Sequence, residues 1–200
     1  MSRSRPVQAG YRLLTAVSMT AGRGPAARAV AALAGLSPQD RLVDIGCGPG
    51  SAARTAARWC ASVTGVDPAP EMLRLGRRIT AARRIANVTF REGSAQALPL
   101  PDASATVAWA LSSVHHWPDR AAGLAEAARV LAPGGRILLA ERLVKPAARG
   151  HAAHGLSSEE ASRLADGLVA AGFAGASCDT RKAGRRTLLI IRGTLPDAAG

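Results

Sequence analysis

The residues most suited to chemistry in this chain are an acid and three glycines that follow a short apolar run. Asp44 is followed by Gly46, Gly48 and Gly50, and the run 41–45 has the pattern of a buried strand. A helical pattern begins after Gly50, so the glycines occupy a strand-to-helix turn, where a ligand can approach the backbone closely. Asp44 would repel a pyrophosphate and attract an ammonium or a sulfonium group. The pattern therefore predicts a site for a ligand that carries a positive charge.

A second acid ends the next predicted strand. Asp67 closes the run 62–67, and a carboxylate at such a position can accept hydrogen bonds from both hydroxyls of a ribose. The alternative is that Asp67 only opens a surface turn with Pro68. The glycine loop upstream favours the ribose interpretation.

Four histidines are the remaining candidates for chemistry. His115 and His116 follow the fourth predicted strand, on the side where ligands bind in open α/β sheets. With an ordinary pKa of about 6.5, a histidine can take a proton from a hydroxyl or an amine. The alternative is that both rings only pack or form hydrogen bonds within the loop. His151 and His154 have a spacing compatible with a metal ion, but no nearby Cys or carboxylate completes a site, so no metal ion is predicted.

Strands and helices alternate along the chain and must position these residues. The predicted strands are 41–45, 62–67, 88–92, 106–111, 136–141, 176–180 and 187–192. Helices are predicted at 11–18, 25–34, 51–59 and 69–84, after the N-cap Asp119, and from the capping-box pair Ser157 and Glu160 to Gly172. The apolar face of this last helix is predicted to consist of Ala161, Leu164, Leu168 and Val169.

The alternation predicts a parallel sheet covered by helices on both faces. No helix separates the last two strands, which predicts a terminal hairpin. The expected fold is therefore α/β: a Rossmann-like three-layer sandwich, with a mostly parallel seven-stranded sheet and an antiparallel last strand.

The acid and its glycines closely resemble the loop of the class I S-adenosylmethionine-dependent methyltransferases, which have an acid, one residue and then Gly-x-Gly-x-Gly. The segment 92–102 and the turn 131–136 are similar to further family segments. Dinucleotide-binding loops have Gly-x-Gly-x-x-Gly instead, whereas position 51 here is Ser. The chain is similar to the ubiquinone and menaquinone methylase group. The resemblance implies methyl transfer from S-adenosylmethionine to a small organic acceptor, on O, N or C.

The resemblance also implies roles for individual residues. Asp44 would position the amino-acid part of the cofactor, and Asp67 would hold its ribose. The further residues implied to bind the cofactor are Gly46, Cys47, Gly48, Gly50, Pro68, Met72, Ser94, Ala95, Ala110 and Leu111. The carbonyls of Ala110 and Leu111 would face the methionine ammonium. Residues 1–36 are expected to form a short helical cap, and 37–200 the methyltransferase domain.

The chain departs from the family pattern at two positions. Ser94 stands where the family commonly has an acid that receives the adenine amino group. Thr106 stands where an acid usually enters the fourth strand. The neutral Ser94 would bind adenine less strongly than an ionised partner.

The formal net charge of +12 raises the question of a nucleic-acid partner. All but two of the 26 basic residues are arginines, spread along the chain. The densest cluster is Arg74, Arg77, Arg78, Arg83 and Arg84, beside an apolar series of Met72, Leu75, Ile79 and Ala82. This arrangement favours the solvated face of an amphipathic helix over a polyanion-binding surface. The expected partner is a small-molecule acceptor and not a nucleic acid, and the expected state is a monomer or homodimer.

The cysteines bear on the cellular compartment. Cys47, Cys60 and Cys178 are odd in number and scattered, which suits a reducing cytoplasm. No apolar run has the length needed to cross a membrane. Two other functions stay open at this point: an RNA- or protein-directed methyltransferase, and a catalytically silent cofactor-binding module that acts as a partner subunit.

Overall fold

A seven-stranded sheet forms the centre of the computed structural model, which describes residues 24–144, 154–183 and 186–198. The strands are β1 (Arg41–Ile45), β2 (Ser62–Asp67), β3 (Val88–Glu92), β4 (Ala105–Leu111), β5 (Leu131–Arg142), β6 (Ala174–Ala183) and β7 (Arg186–Thr194). Their order in the sheet is β3-β2-β1-β4-β5-β7-β6. Neighbouring strands from β3 to β5 are parallel, whereas β7 runs antiparallel to both β5 and β6. The predicted fold, with its terminal hairpin, is confirmed.

Helices cover both faces of the sheet. They are α1 (Gly24–Leu33), α2 (Ser51–Ala56), α3 (Pro70–Ala82), α4 (Arg120–Val130) and α5 (Ser158–Ala170). The predicted caps are present: Asp119 accepts from the backbone N–H of Ala122, and Ser157 and Glu160 form the capping box of α5. None of the helices in the described residues is long and apolar enough to cross a membrane.

Two hydrophobic cores lie on opposite faces of the sheet. One contains buried residues of α1, α2 and α3, among them Ala27, Ala53 and Leu73. The other contains buried residues of α4 and α5, such as Leu124 and Leu164. The three-layer arrangement follows from these two cores.

Helix α3 is rotated relative to the sequence-based expectation. Its buried residues are Leu73, Gly76 and Thr80. Of the predicted apolar series, residues 72, 75 and 79 are only half-buried, and 82 is exposed. A Cβ at Gly76 would lie 2.9 Å from the Phe90 ring, so the helix turns its smallest residue toward that ring. The five arginines of the cluster are exposed as predicted.

Two smaller differences concern α5 and β5. Val169, predicted on the apolar face of α5, is 61% exposed. Strand β5 begins at Leu131 rather than at 136, because Leu131 pairs with Ala105 of β4. Closer to 136, the N–H of Leu195 donates to the Gly135 carbonyl at 2.7 Å.

The N-terminal prediction is tested only in part. Helix α1 packs on the sheet through Ala27 and Val30, both fully buried. The predicted helix 11–18 lies outside the described residues, and the division into a cap 1–36 and a domain 37–200 stays a prediction.

Candidate functional site

A cavity of about 740 Å³ opens at the carboxyl ends of β1 to β4. Residues at its lining include Gly46, Gly48, Asp67, Pro68, Glu71, Met72, Ser94, Ala95, Gln96, Ser112, Ser113, His116 and Trp117. This volume suits a ligand of cofactor size, and this edge is where open α/β sheets bind ligands.

Most of the predicted site residues meet at this cavity. Those that line it are Gly46, Gly48, Asp67, Pro68, Met72, Ser94, Ala95 and His116. Those that do not are Asp44, Cys47, Gly50, Ala110, Leu111 and His115, which belong to or adjoin the same strand ends. The binding roles of all of them stay predictions.

The glycine loop turns tightly at the end of β1. The N–H groups of Gly46 and Cys47 both donate to the Val66 carbonyl, at 2.8 and 3.0 Å, which fixes the loop against β2. Gly46 and Gly48 have φ of 72° and 54°, a region that disfavours side chains. A Cβ at Gly46 would lie 2.5 Å from that of Ser113, whereas one at Gly48 would meet no atom within 4 Å. There is therefore no room for a side chain at Gly46, whereas the space beside Gly48 is open.

Asp67 is held by two backbone groups at the cavity. Its Oδ2 accepts from the N–H of Gly48 at 2.8 Å, and its Oδ1 accepts from the N–H of Ala69 at 2.9 Å. Each carboxylate oxygen keeps a further lone pair. The carboxylate can therefore accept two more hydrogen bonds from a ligand without giving up its own support.

Asp44, in β1, and Cys47, within the glycine loop, are both buried. Asp44 is 1% exposed. Burial, and then the carboxylates of Asp44 and Asp67, raise the pKa of the Cys47 thiol well above its ordinary value. Cys47 is therefore a neutral thiol at pH 7 and not a nucleophile.

Small polar residues after β4 line the cavity, although the sequence prediction stopped at Ala110 and Leu111. Those two are buried in β4. Beyond them, Ser112 has φ of 53°, and the Ser113 hydroxyl donates to the Ile45 carbonyl at 2.7 Å. Their position directly after a buried strand is the signal that could have identified them.

A buried carboxylate holds His115. Glu141 of β5 is fully buried; its Oε1 accepts from the N–H of Val114 at 2.7 Å, and its Oε2 lies 2.9 Å from Nδ1 of His115. An ionised Glu141 can only accept, in which case Nδ1 of His115 is the donor, and in a neutral ring Nε2 then carries the lone pair. Sequence reasoning missed Glu141, whose signal was an acid within the apolar run of β5.

A third histidine lies beside the predicted pair. The ring centroids of His115 and His116 are 4.0 Å apart, and His154 lies 5.6 and 5.7 Å from them. His151, which the sequence pairs with His154, lies outside the described residues.

Thr106 lies at the opposite edge of the sheet from the cavity. Its hydroxyl donates to Oδ1 of Asp40 at 2.8 Å and accepts from the N–H of Arg41 at 3.0 Å. This departure from the family pattern therefore has a structural role and does not bear on the cavity.

Comparison with known proteins assigns the central segment to one family. Residues 43–139 match the family model described as "Methyltransferase domain". The matched segment begins in β1 and ends in β5, so it contains the glycine loop and all four strand ends around the cavity.

Two curated relatives are similar over part of their length. One is 27-O-demethylrifamycin SV methyltransferase of Amycolatopsis mediterranei, 41% identical over 143 residues, covering 69% of this chain and 52% of the relative. Another is demethylmenaquinone methyltransferase of Tropheryma whipplei, 35% identical over 114 residues, covering 57% of this chain and 46% of the relative. The chain therefore spans about half the length of these relatives.

The fold is also found among solved structures. An S-adenosylmethionine-dependent methyltransferase from Aquifex aeolicus superposes with a TM-score of 0.69 at 17% identity, covering 84% of this chain and 89% of that one. At this level of identity the likeness concerns the fold alone.

Proposed function

The chain carries a class I S-adenosylmethionine-dependent methyltransferase domain, and from that premise we propose that it transfers a methyl group from S-adenosylmethionine to a small organic acceptor, on O, N or C. The observation that carries the proposal is the pairing of the Asp67 carboxylate with the open Gly48 at one end of the cavity. A hydrogen-bond acceptor for a ribose and room for close approach to the backbone then occur together.

The cofactor half of the proposed site extends across the strand ends. Asp67 and Pro68 would contact the ribose, Met72 the adenosine, and Ser94 and Ala95 the adenine. The methionine part would lie over the residues implied by the resemblance: Asp44, Gly46, Cys47, Gly48, Gly50, Ala110 and Leu111. Asp44 would attract the ammonium group.

The acceptor half lies toward the turn after β4. His116 and Trp117 line the cavity there, and we place His115 and His116 in the step that removes the acceptor's proton, where the acceptor carries one. Methyl transfer from a sulfonium is an in-line displacement, so the cofactor supplies the reactive group and the protein supplies alignment and a dry cavity.

One observation supports a small organic acceptor, and another supports a reducing compartment. The two relatives above are named for the organic compounds demethylrifamycin SV and demethylmenaquinone as the molecules that are methylated. The three cysteines of this chain are all free, which fits the cytoplasm.

One observation favours a second candidate. The exposed arginines of α3, among them Arg74, Arg77 and Arg78, form a basic surface that an RNA-directed enzyme could use. Strong weakening of RNA binding with rising salt would support that candidate. RNA binding that does not change with salt, or no RNA binding, would favour the small acceptor.

Calorimetric titration of the full chain tests the proposed cofactor. S-adenosylmethionine and S-adenosylhomocysteine are expected to bind in the micromolar range, and NAD is not. Asp67→Ala should abolish binding because it removes the ribose acceptor. Asp179→Ala makes the same chemical change at a surface ion pair on β6 and should leave binding unchanged. Binding of NAD alone, or of none of the three ligands, would overturn the proposal.

A further inference from the structure

Three histidines converge where the turn after β4 meets the segment before α5. One ring nitrogen from each of His115, His116 and His154 lies within 4.8 Å of the other two. Three nitrogens bound to one tetrahedral zinc ion are roughly 3.4 Å apart, so the rings would have to close by at most about 1.4 Å. His116 and His154 are exposed, and a change of side-chain rotamer moves a ring by a distance of this size.

The most buried of the three histidines already has the hydrogen bonding of a metal ligand. Oε2 of Glu141 lies 2.9 Å from Nδ1 of His115, and Glu141 is itself fully buried and anchored by the N–H of Val114. Metal-binding histidines almost always donate their second ring nitrogen to such a carboxylate, which fixes the ring and its tautomer. Among the described residues, Nε2 of His115 is buried and has no hydrogen-bond partner.

The donor set selects the class of metal. Three imidazoles suit Zn²⁺ and similar transition metals, whereas Mg²⁺ and Ca²⁺ prefer oxygen ligands. Three protein ligands also leave one coordination position open, the arrangement found in catalytic rather than structural zinc sites. His116 lines the cavity, so the open position would face its acceptor end.

We propose that His115, His116 and His154 form a binding site for a divalent transition-metal ion of the zinc type at the acceptor end of the cavity. Its role rests on the function proposed above: with His115 and His116 as ligands of the ion instead of free bases, the bound ion would hold an acceptor oxygen and favour its deprotonated form. The sequence predicts no metal ion because His154 is distant from His115 and His116 in the chain, and only the fold brings the three together.

Titration of the full chain with zinc chloride tests the site without any activity measurement. The protein is purified without a histidine tag, stripped with a chelator and followed by calorimetry. One equivalent of Zn²⁺ is expected to bind with micromolar or tighter affinity, and Mg²⁺ is not expected to bind. His154→Ala should weaken Zn²⁺ binding about 100-fold, and Glu141→Gln, a positioning variant, about 10-fold, in line with losses seen at other metal sites.

His151→Ala is the matched control, since it removes one histidine and leaves the three-histidine cluster intact. It should bind Zn²⁺ as the unaltered chain does. Equal losses in His151→Ala and His154→Ala, or no stoichiometric binding at all, would overturn the proposal. S-adenosylhomocysteine binding, measured on the same proteins, separates the two ideas: retained binding without zinc affinity removes only the metal site, and lost cofactor binding in the unaltered chain removes the proposed function.

Discussion

At the scale of single residues, Gly46 and Gly48 have different roles in the same loop. Both have positive φ, but a side chain at Gly46 would collide with Ser113, whereas one at Gly48 would project into free space at the cavity. Gly46 is therefore required for the protein to fold as it does. Gly48 is required only for a ligand to come close.

Gly48→Ala is expected to weaken S-adenosylhomocysteine binding at least tenfold while the protein stays folded. The new methyl group would occupy ligand space, and the left-handed backbone at φ 54° would cost about 1 kcal/mol of stability. Gly35→Ala is a matched control, because Gly35 has φ of 55°, also meets no atom within 4 Å, and lies outside the cavity lining. Calorimetry and urea unfolding should show equal stability losses and an affinity loss in Gly48→Ala alone. Equal affinities in the two variants would contradict the role given to Gly48.

The sequence predicts the parts of the site that lie within one short segment. Asp44 and Asp67 are recognisable because each lies at or near the end of a predicted strand, and the glycines are recognisable because they come just after the first of these strands. Ser113 directly after a strand and Glu141 within an apolar run are unusual positions that a local pattern can show. Their partners Ile45 and His115 are 68 and 26 residues away in the chain, so the local pattern does not show which contacts they make.

At the scale of elements, a buried ion pair joins the strands at the edge opposite the cavity. Oδ2 of Asp40 accepts from Arg136 of β5 at 2.7 Å, while its Oδ1 accepts from Thr106 of β4. Arg136 also donates to the carbonyl of Ala34 after α1 at 2.6 Å. The Asp40 carboxylate and the Arg136 side chain together therefore connect the start of β1 with β4, β5 and the end of α1.

The protein is expected to lose stability in acid through Asp40. Burial raises the pKa of this carboxyl, but hydrogen bonds from Arg136, Thr106 and Ser37 outweigh it and lower the pKa to about 2. A carboxyl whose pKa is lower in the folded state stabilises the protein above its unfolded pKa, and that contribution is lost as the pH falls from about 4 toward 2. The shift corresponds to roughly 2 kcal/mol at neutral pH.

Urea unfolding of Asp40→Asn at pH 7 and pH 3 measures this contribution. The variant should lose about 2 kcal/mol at pH 7, and its difference from the unaltered chain should shrink at pH 3. Asp102→Asn is the control, because the Asp102 side chain is 78% exposed in its pair with Arg129, and exposed pairs contribute little. A pH-independent difference for Asp40→Asn would show that the ion pair is not the cause.

The elements themselves were predictable to the extent that their signals are local. The strand–helix alternation and the caps at Asp119 and Ser157 were confirmed. The orientation of α3 was not predicted, because apolar spacing favoured Met72 and Leu75 while the space beside Phe90 accepts only Gly76. Packing against a distant strand decided which face of the helix is buried.

At the scale of the whole molecule, the cavity belongs to several elements at once. Its lining comes from the loops after β1, β2, β3 and β4 and from the first turn of α3. These elements bury residues in both hydrophobic cores. A ligand that binds there interacts only with the folded arrangement, so its binding free energy adds to the free energy of unfolding.

S-adenosylhomocysteine is therefore expected to raise the melting temperature of the full chain. At a concentration 100 times its dissociation constant, a ligand adds about 2.7 kcal/mol, which for a chain of this size corresponds to roughly 5–10 °C. Differential scanning fluorimetry should show this shift for the unaltered chain and for Asp179→Ala, and no shift for Asp67→Ala. NAD should leave the melting temperature unchanged in all three proteins. A shift that persists in Asp67→Ala would mean that the ligand binds elsewhere, because the lost carboxylate connects the glycine loop, the end of β2 and the start of α3 at the cavity.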